Sequence, residues 1–168
     1  KYCLLTGQTN YNFGLISHSE VHLNDDYYWL AGSPDGISIG NKKNSKPILL
    51  EVKCPYRRKI VFGNIPKYYY PQVQLNLFIC DLDIADFIEY LPPDTMNIVR
   101  VFRDENWLKK NLPILEQLWK DVEHYRKIGI ENHPNYPKKK RILDLYIKDE
   151  DEDEEKNTLL NTYSIIDD

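Results

Sequence analysis

Three side chains in the first third of the chain have the types and spacing for phosphodiester chemistry. Asp35 lies in the turn Ser33-Pro34-Asp35-Gly36, and Glu51 and Lys53 lie in the run Ile48-Leu49-Leu50-Glu51-Val52-Lys53-Cys54-Pro55. Proline presets φ and glycine accepts positive φ, so the first motif is a turn. Ile37-Ser38-Ile39 and Ile48–Lys53 have strand character and are joined by a polar loop, which predicts a hairpin. Strand side chains alternate, so Glu51 and Lys53 share a face, and Val52 is expected to point into the core. Asp35 arrives beside them from the neighbouring strand. Two carboxylates supply the hard oxygen ligands that suit Mg²⁺. Such a metal activates water and stabilises charge on a leaving oxygen. The lysine would orient or deprotonate that water, or offset phosphate charge. A charged pair that interrupts an otherwise apolar run favours this reading over an ordinary surface pair.

The elements after the pair must complete the site. Pro55 ends the strand because it cannot donate to a ladder. Arg57-Arg58-Lys59 then opens a loop reaching about Lys67, placed to hold DNA phosphates. Residues 67–80 have helical spacing, with Tyr69, Val73, Leu77 and Cys80 on one face and Pro71 in the first turn. Gln72 falls on the flank towards the loop, and Gln74 reads as structural or solvent-facing. The tyrosines at 68–70 read as packing groups.

Ser33-Pro34-Asp35-Gly36, Leu50-Glu51-Val52-Lys53-Cys54-Pro55 and Tyr70-Pro71-Gln72-Val73-Gln74, in that order, resemble the phage lambda exonuclease and YqaJ-type viral recombinase family of the PD-(D/E)XK nuclease superfamily. The resemblance covers about residues 1–130. It implies an α/β fold with a central mixed β-sheet flanked by helices. It implies Asp35, Glu51 and the Val52 backbone carbonyl as metal ligands, for Mg²⁺ with Mn²⁺ as substitute. Lys53 would be the catalytic lysine and Gln72 the active-site glutamine. The implied activity is 5′ to 3′ exonuclease action on double-stranded DNA ends in viral or phage recombination or replication. A ring-shaped homo-oligomer and a single-strand annealing protein are the implied partners, and the setting is the interior of a host cell. An endonuclease on the same fold, or one directed at RNA, is the nearest alternative. A catalytically incomplete DNA-binding or scaffolding remnant is the alternative outside enzymes.

The rest of the chain frames this centre. Lys1–Thr6 before Gly7 reads as the last turn of a helix. The resemblance places a further acidic residue upstream of it. These 168 residues begin too late to contain that residue, so the expectation is weak metal binding and slow cleavage, or none, by this chain alone. Residues 13–23 alternate in polarity and read as a strand, with a second strand at 27–31. His18 and His22 would then lie about 13 Å apart and bind no metal together. Two further strands are expected at 85–91 and 97–102, paired across Pro92-Pro93-Asp94. A long helix follows, with Asp104 as N-cap and a stripe of Leu108, Leu112, Leu115, Trp119 and Val122; Pro113 is expected to kink or break it.

Residues 1–131 are read as one domain and 132–168 as a linker and disordered acidic tail. Lys138-Lys139-Lys140-Arg141 is a weak nuclear-signal candidate. The net charge is −4, but residues 144–168 hold ten acids against two lysines, which leaves +4 for residues 1–143. The folded part is therefore mildly basic, compatible with a polyanionic partner. Cys3, Cys54 and Cys80 are odd in number and widely spaced, which suggests neither zinc nor disulfides and favours a reducing compartment. No apolar run is long enough to span a bilayer, so no membrane partner is expected.

Overall fold

A computed structural model describes residues 1–23 and 26–137. The chain divides into two compact units, Lys1–Trp119 and Lys120–Asp168, and the division falls inside the last long helix. The expected tail, its basic run and its acidic run lie outside the described residues from 138 onward.

The first unit is built on β1 (Gln8–Tyr11), β4 (Gly36–Gly40), β5 (Ile48–Lys53), β6 (Ile84–Leu91) and β7 (Thr95–Phe102), hydrogen-bonded in the order β1-β4-β5-β6-β7. Only β5 and β6 run parallel; the other neighbours are antiparallel, so the sheet is mixed. A parallel pair needs a crossover, which α3 (Tyr70–Ile79) provides. Helix α1 (Tyr2–Thr6) ends at Gly7, whose φ of 65° is the left-handed terminator expected from sequence. The β4–β5 hairpin and the β6–β7 pair form as expected, and Asp104 caps α4 (Glu105–Ile128) by accepting the Trp107 N–H at 2.9 Å.

Side-chain alternation divides the buried residues between two faces. On one, Leu49, Ala85, Phe87 and Val101 pack under Val73 and Leu77 of α3 and Leu108 and Leu112 of α4. On the other, Ile48, Leu50 and Ile88 pack under Tyr2 of α1. Val52 belongs to this second face and is exposed, whereas its neighbour Glu51 is buried. The expectation is thus inverted: near the end of β5 the α3 face is the covered one, and it carries the charged pair.

Two other expectations fail. Residues 13–23 do not form a strand: β2 (Ile16–Ser17) is two residues long and gives way to α2 (His18–Val21). The Ser17 N–H donates to the Glu20 carboxylate at 2.8 Å, a capping-box contact that starts a helix where alternation suggested extended chain. His18 and His22 therefore sit one turn apart and stack with ring centroids at 3.8 Å. His18 is buried, packed edge-on to Tyr27 and tilted against Phe78. The second expected strand is a turn over residues 26–29 followed by β3 (Ala31–Gly32), which pairs with β2. Of the two outcomes expected at Pro113, a kink or a break, the break does not occur: α4 is one helix across it. Proline removes one intrahelical hydrogen bond. Burial of Leu108 and Leu112 before it, and stacking of Trp119 on Trp29 after it, hold the helix together.

Candidate active site

The site lies where the end of β5 meets the first turns of α3. The Glu51 side chain is only 1% exposed and that of Lys53 21%, and Lys53 Nζ donates to Glu51 Oε1. Gln72 Nε2 donates to the same oxygen at 2.7 Å, and Asn76 Nδ2 donates to Oε2 at 3.3 Å. One helical turn separates Gln72 from Asn76, so α3 places both amides over one carboxylate. The Asn76 amide fills the space above Gly32: a Cβ there would meet its Oδ1 at 2.4 Å. That glycine, just ahead of the Asp35 turn, lets α3 approach closely.

Asp35 is fixed from both ends of the residue. Its N–H donates to Leu50 O at 3.1 Å, and its Oδ2 accepts the Val52 N–H at 2.7 Å. The turn is thereby stitched to β5 on either side of Glu51. Burial pushes the Glu51 carboxyl above its usual value; Lys53 opposes this and the Asp35 charge reinforces it. Two carboxylates close enough to repel each other across a partly buried site have the chemistry that a hard divalent cation would relieve. Among the described residues no three His, Cys, Asp or Glu side chains gather at one point. The ligands implied by the resemblance, Asp35, Glu51 and the Val52 carbonyl, are oxygens of the kind that would suit Mg²⁺, which keeps much of its hydration.

The structure thus brings together Asp35, Glu51, Lys53 and Gln72, and adds Asn76. Gln74 is wholly buried and structural: it donates to Phe102 O at 2.9 Å and accepts the Asp104 N–H at 2.8 Å. The basic triplet is divided. Arg57 and Lys59 are exposed. Arg58 turns inward, donates to the buried Glu89, and lies 5.6 Å from the centroid of the Tyr69 ring. Arg58 is thus held against β6, while Arg57 and Lys59 form the exposed side of the triplet.

Residues 6–83 match the model of the YqaJ-like viral recombinase domain. The resemblance carried by the three motifs is thereby shown, and the matched segment holds Asp35, Glu51, Lys53, Gln72 and Asn76. The uncharacterised protein R354 of Acanthamoeba polyphaga mimivirus is 35% identical over 89 residues, covering 46% of this chain and 15% of that protein. The chain therefore spans a small part of that viral relative's length. The alkaline exonuclease LHK-Exo of Laribacter hongkongensis has a similar fold, with a TM-score of 0.55 and 21% identity over 79% of this chain and 68% of that one. The same enzyme in complex with dAMP matches equally well. The mixed sheet flanked by helices is the fold expected from sequence. No helix among the described residues is long and apolar enough to cross a membrane.

Proposed function

We propose that this YqaJ-like domain is a metal-dependent nuclease that hydrolyses phosphodiester bonds at duplex DNA ends, 5′ to 3′, in viral or phage recombination or replication. The observation that carries this reading is the buried Glu51 carboxylate, held by Lys53, Gln72 and Asn76 with Asp35 beside it. The fold shared with an alkaline exonuclease supports the substrate class.

Asp35 and Glu51 would hold Mg²⁺ or Mn²⁺ together with the Val52 carbonyl; when bound, the ion supplies Lewis acidity at the scissile phosphate. Asp35 Oδ2 accepts the Val52 N–H, and its other oxygen would be the one to hold such a cation. Gln72 and Asn76 fix the plane of the Glu51 carboxylate, so it does not reorganise when the ion arrives. Lys53 is the group placed to orient the attacking water and to offset charge building on the phosphate. Its ammonium is held between Glu51 and the Tyr69 ring, whose centroid is 5.1 Å away. A single-strand annealing protein as partner and a ring-shaped oligomer belong to the same reading.

The test is digestion of linear and closed circular duplex DNA, with and without a 5′ phosphate, in Mg²⁺, Mn²⁺ and EDTA. The reading expects metal-dependent loss of the linear form alone. Cutting of the closed circle would make the protein an endonuclease, and binding of DNA with no cleavage in either metal would make it a non-catalytic module.

A further inference from the structure

Lys53 has two buried carboxylates to choose from. Glu51 precedes it by two residues on the same face of β5. Glu89 of β6 pairs with it in parallel register, so the two side chains leave neighbouring strands on one face. Glu89 is wholly buried and Glu51 nearly so. Opposite charges directly across two strands attract, and a lysine stem is long enough to join them. Yet Lys53 donates to Glu51. The lysine itself does not dictate that choice, because its ammonium is a point charge on a flexible stem.

What already occupies Glu89 dictates it. Arg58 donates to Glu89 Oε1, and Asn97 Nδ2 donates to Oε2 at 2.9 Å, so both oxygens are engaged. Asn97 is itself held, since its Oδ1 accepts the Gly63 N–H at 3.0 Å. Arg58 also lies over the Tyr69 ring, 5.6 Å from its centroid, and Lys53 Nζ lies over the same ring at 5.1 Å. A guanidinium on Glu89 therefore keeps the ammonium away twice, by filling the acceptor and by like charge.

We propose that Arg58 is a positioning residue: by occupying Glu89 it keeps Lys53 on Glu51. The proposal rests on the nuclease reading for the role of Lys53, and it deepens that reading by naming what selects the lysine's partner. Without Arg58 a buried carboxylate faces Lys53 across the strands, and the ammonium crosses to it.

The experiment compares the full 168-residue chain with Arg58→Gln, Arg58→Lys and Arg58→Gln/Glu89→Gln. Steady-state cleavage of linear duplex in Mn²⁺ gives kcat and KM. A second readout needs no cleavage: the ε-methylene signal of Lys53 in metal-free, ¹³C-lysine-labelled protein, assigned by its absence from Lys53→Arg. It reports where the ammonium stands relative to the Tyr69 ring. Arg58→Gln should lower kcat about 10- to 100-fold with KM unchanged, and should move the Lys53 signal. The double variant removes the competing carboxylate as well, so kcat and the signal should both return close to the parent's. Arg58→Lys keeps a charge on Glu89 and should stay close to the parent by both readouts, which also serves if Arg58→Gln does not fold. The proposal is overturned if Arg58→Gln keeps the parental kcat and signal, if the double variant stays as impaired as the single one, or if Arg58→Lys behaves as Arg58→Gln is expected to. It is equally overturned if Arg58→Gln raises KM at unchanged kcat and makes binding less salt-dependent, for then Arg58 is a phosphate contact. A parent that does not cut DNA in Mn²⁺ would sink the nuclease reading. The Lys53 signal would then test the selection by itself: its return in the double variant supports it, and its failure to return overturns it.

Discussion

The sheet buries carboxylates on both faces, and the two faces treat them differently. On the α1 face, Asp86 is gripped by Arg100 through Nε at 2.9 Å and Nη2 at 3.0 Å, and accepts the Tyr2 hydroxyl at 2.6 Å. A planar fork and a hydroxyl satisfy that carboxylate. On the α3 face, Glu51 meets a lysine, two side-chain amides and the charge of Asp35, and its carboxyl is pushed up by burial. Lysine is a point charge with no fork, and a second carboxylate opposes it. The α1 face closes its charge and gains rigidity; the α3 face leaves an electrostatic deficit that suits a cation. Glu89 shows that position on a face is not the cause, because it too lies on the α3 face and is closed by Arg58 and Asn97. The partners decide.

The sharpest break of this comparison is Lys53→Ala, which should cut the cleavage rate on the order of 10³-fold while the circular dichroism spectrum and melting temperature stay close to the parent. A variant that keeps near-parental cleavage would move the site elsewhere. On the α1 face the effects should reverse. Arg100→Ala leaves Asp86 buried with Tyr2 alone, and should cost about 2–3 kcal/mol in urea unfolding, below the full cost of breaking a buried pair because Arg100 is half in water. Its cleavage rate per folded molecule should not change.

Asn76→Ala lies between these extremes. It removes one donor from Glu51, and should lower activity about 10- to 100-fold, as supporting hydrogen bonds to ligands do. Gln72 remains to hold the other oxygen, so a loss as large as that of Lys53→Ala would mean that Asn76 does more than position.

The legible part of the molecule was local. The hairpin, the shared face of Glu51 and Lys53, Pro71 in the first turn of α3, the Gly7 terminator and the Asp104 cap all follow from a few consecutive residues. What escaped depends on partners distant in sequence. Arg58 looked like a free cation because Glu89 stands 31 positions away. Val52 looked buried because nothing in its own strand says which face the helices cover near that end. Asn76 could have been found, since it follows Gln72 by one helical turn. Ser17 and Glu20 also carried a readable capping signal, which outweighed the alternation that suggested a strand.

The smallest expected effect separates function from stability. The raised Glu51 carboxyl means that the folded protein holds its proton more tightly than the unfolded chain does. Its contribution is therefore full at low pH and is lost as pH rises through the folded-state value. In the absence of divalent metal, Glu51→Gln should be at least as stable as the parent at neutral pH, and the parent should close that gap on acidification. Parallel pH profiles in chemical denaturation would show that burial does not raise the Glu51 carboxyl.

Calorimetric titration of Mn²⁺ into the parent, Glu51→Gln and Lys53→Ala, with cleavage of linear duplex measured on the same samples, tests the central claim most directly. The account predicts that both variants lose cleavage and that only Glu51→Gln loses metal binding. Metal binding by Glu51→Gln equal to the parent's, or cleavage retained by either variant, would contradict it.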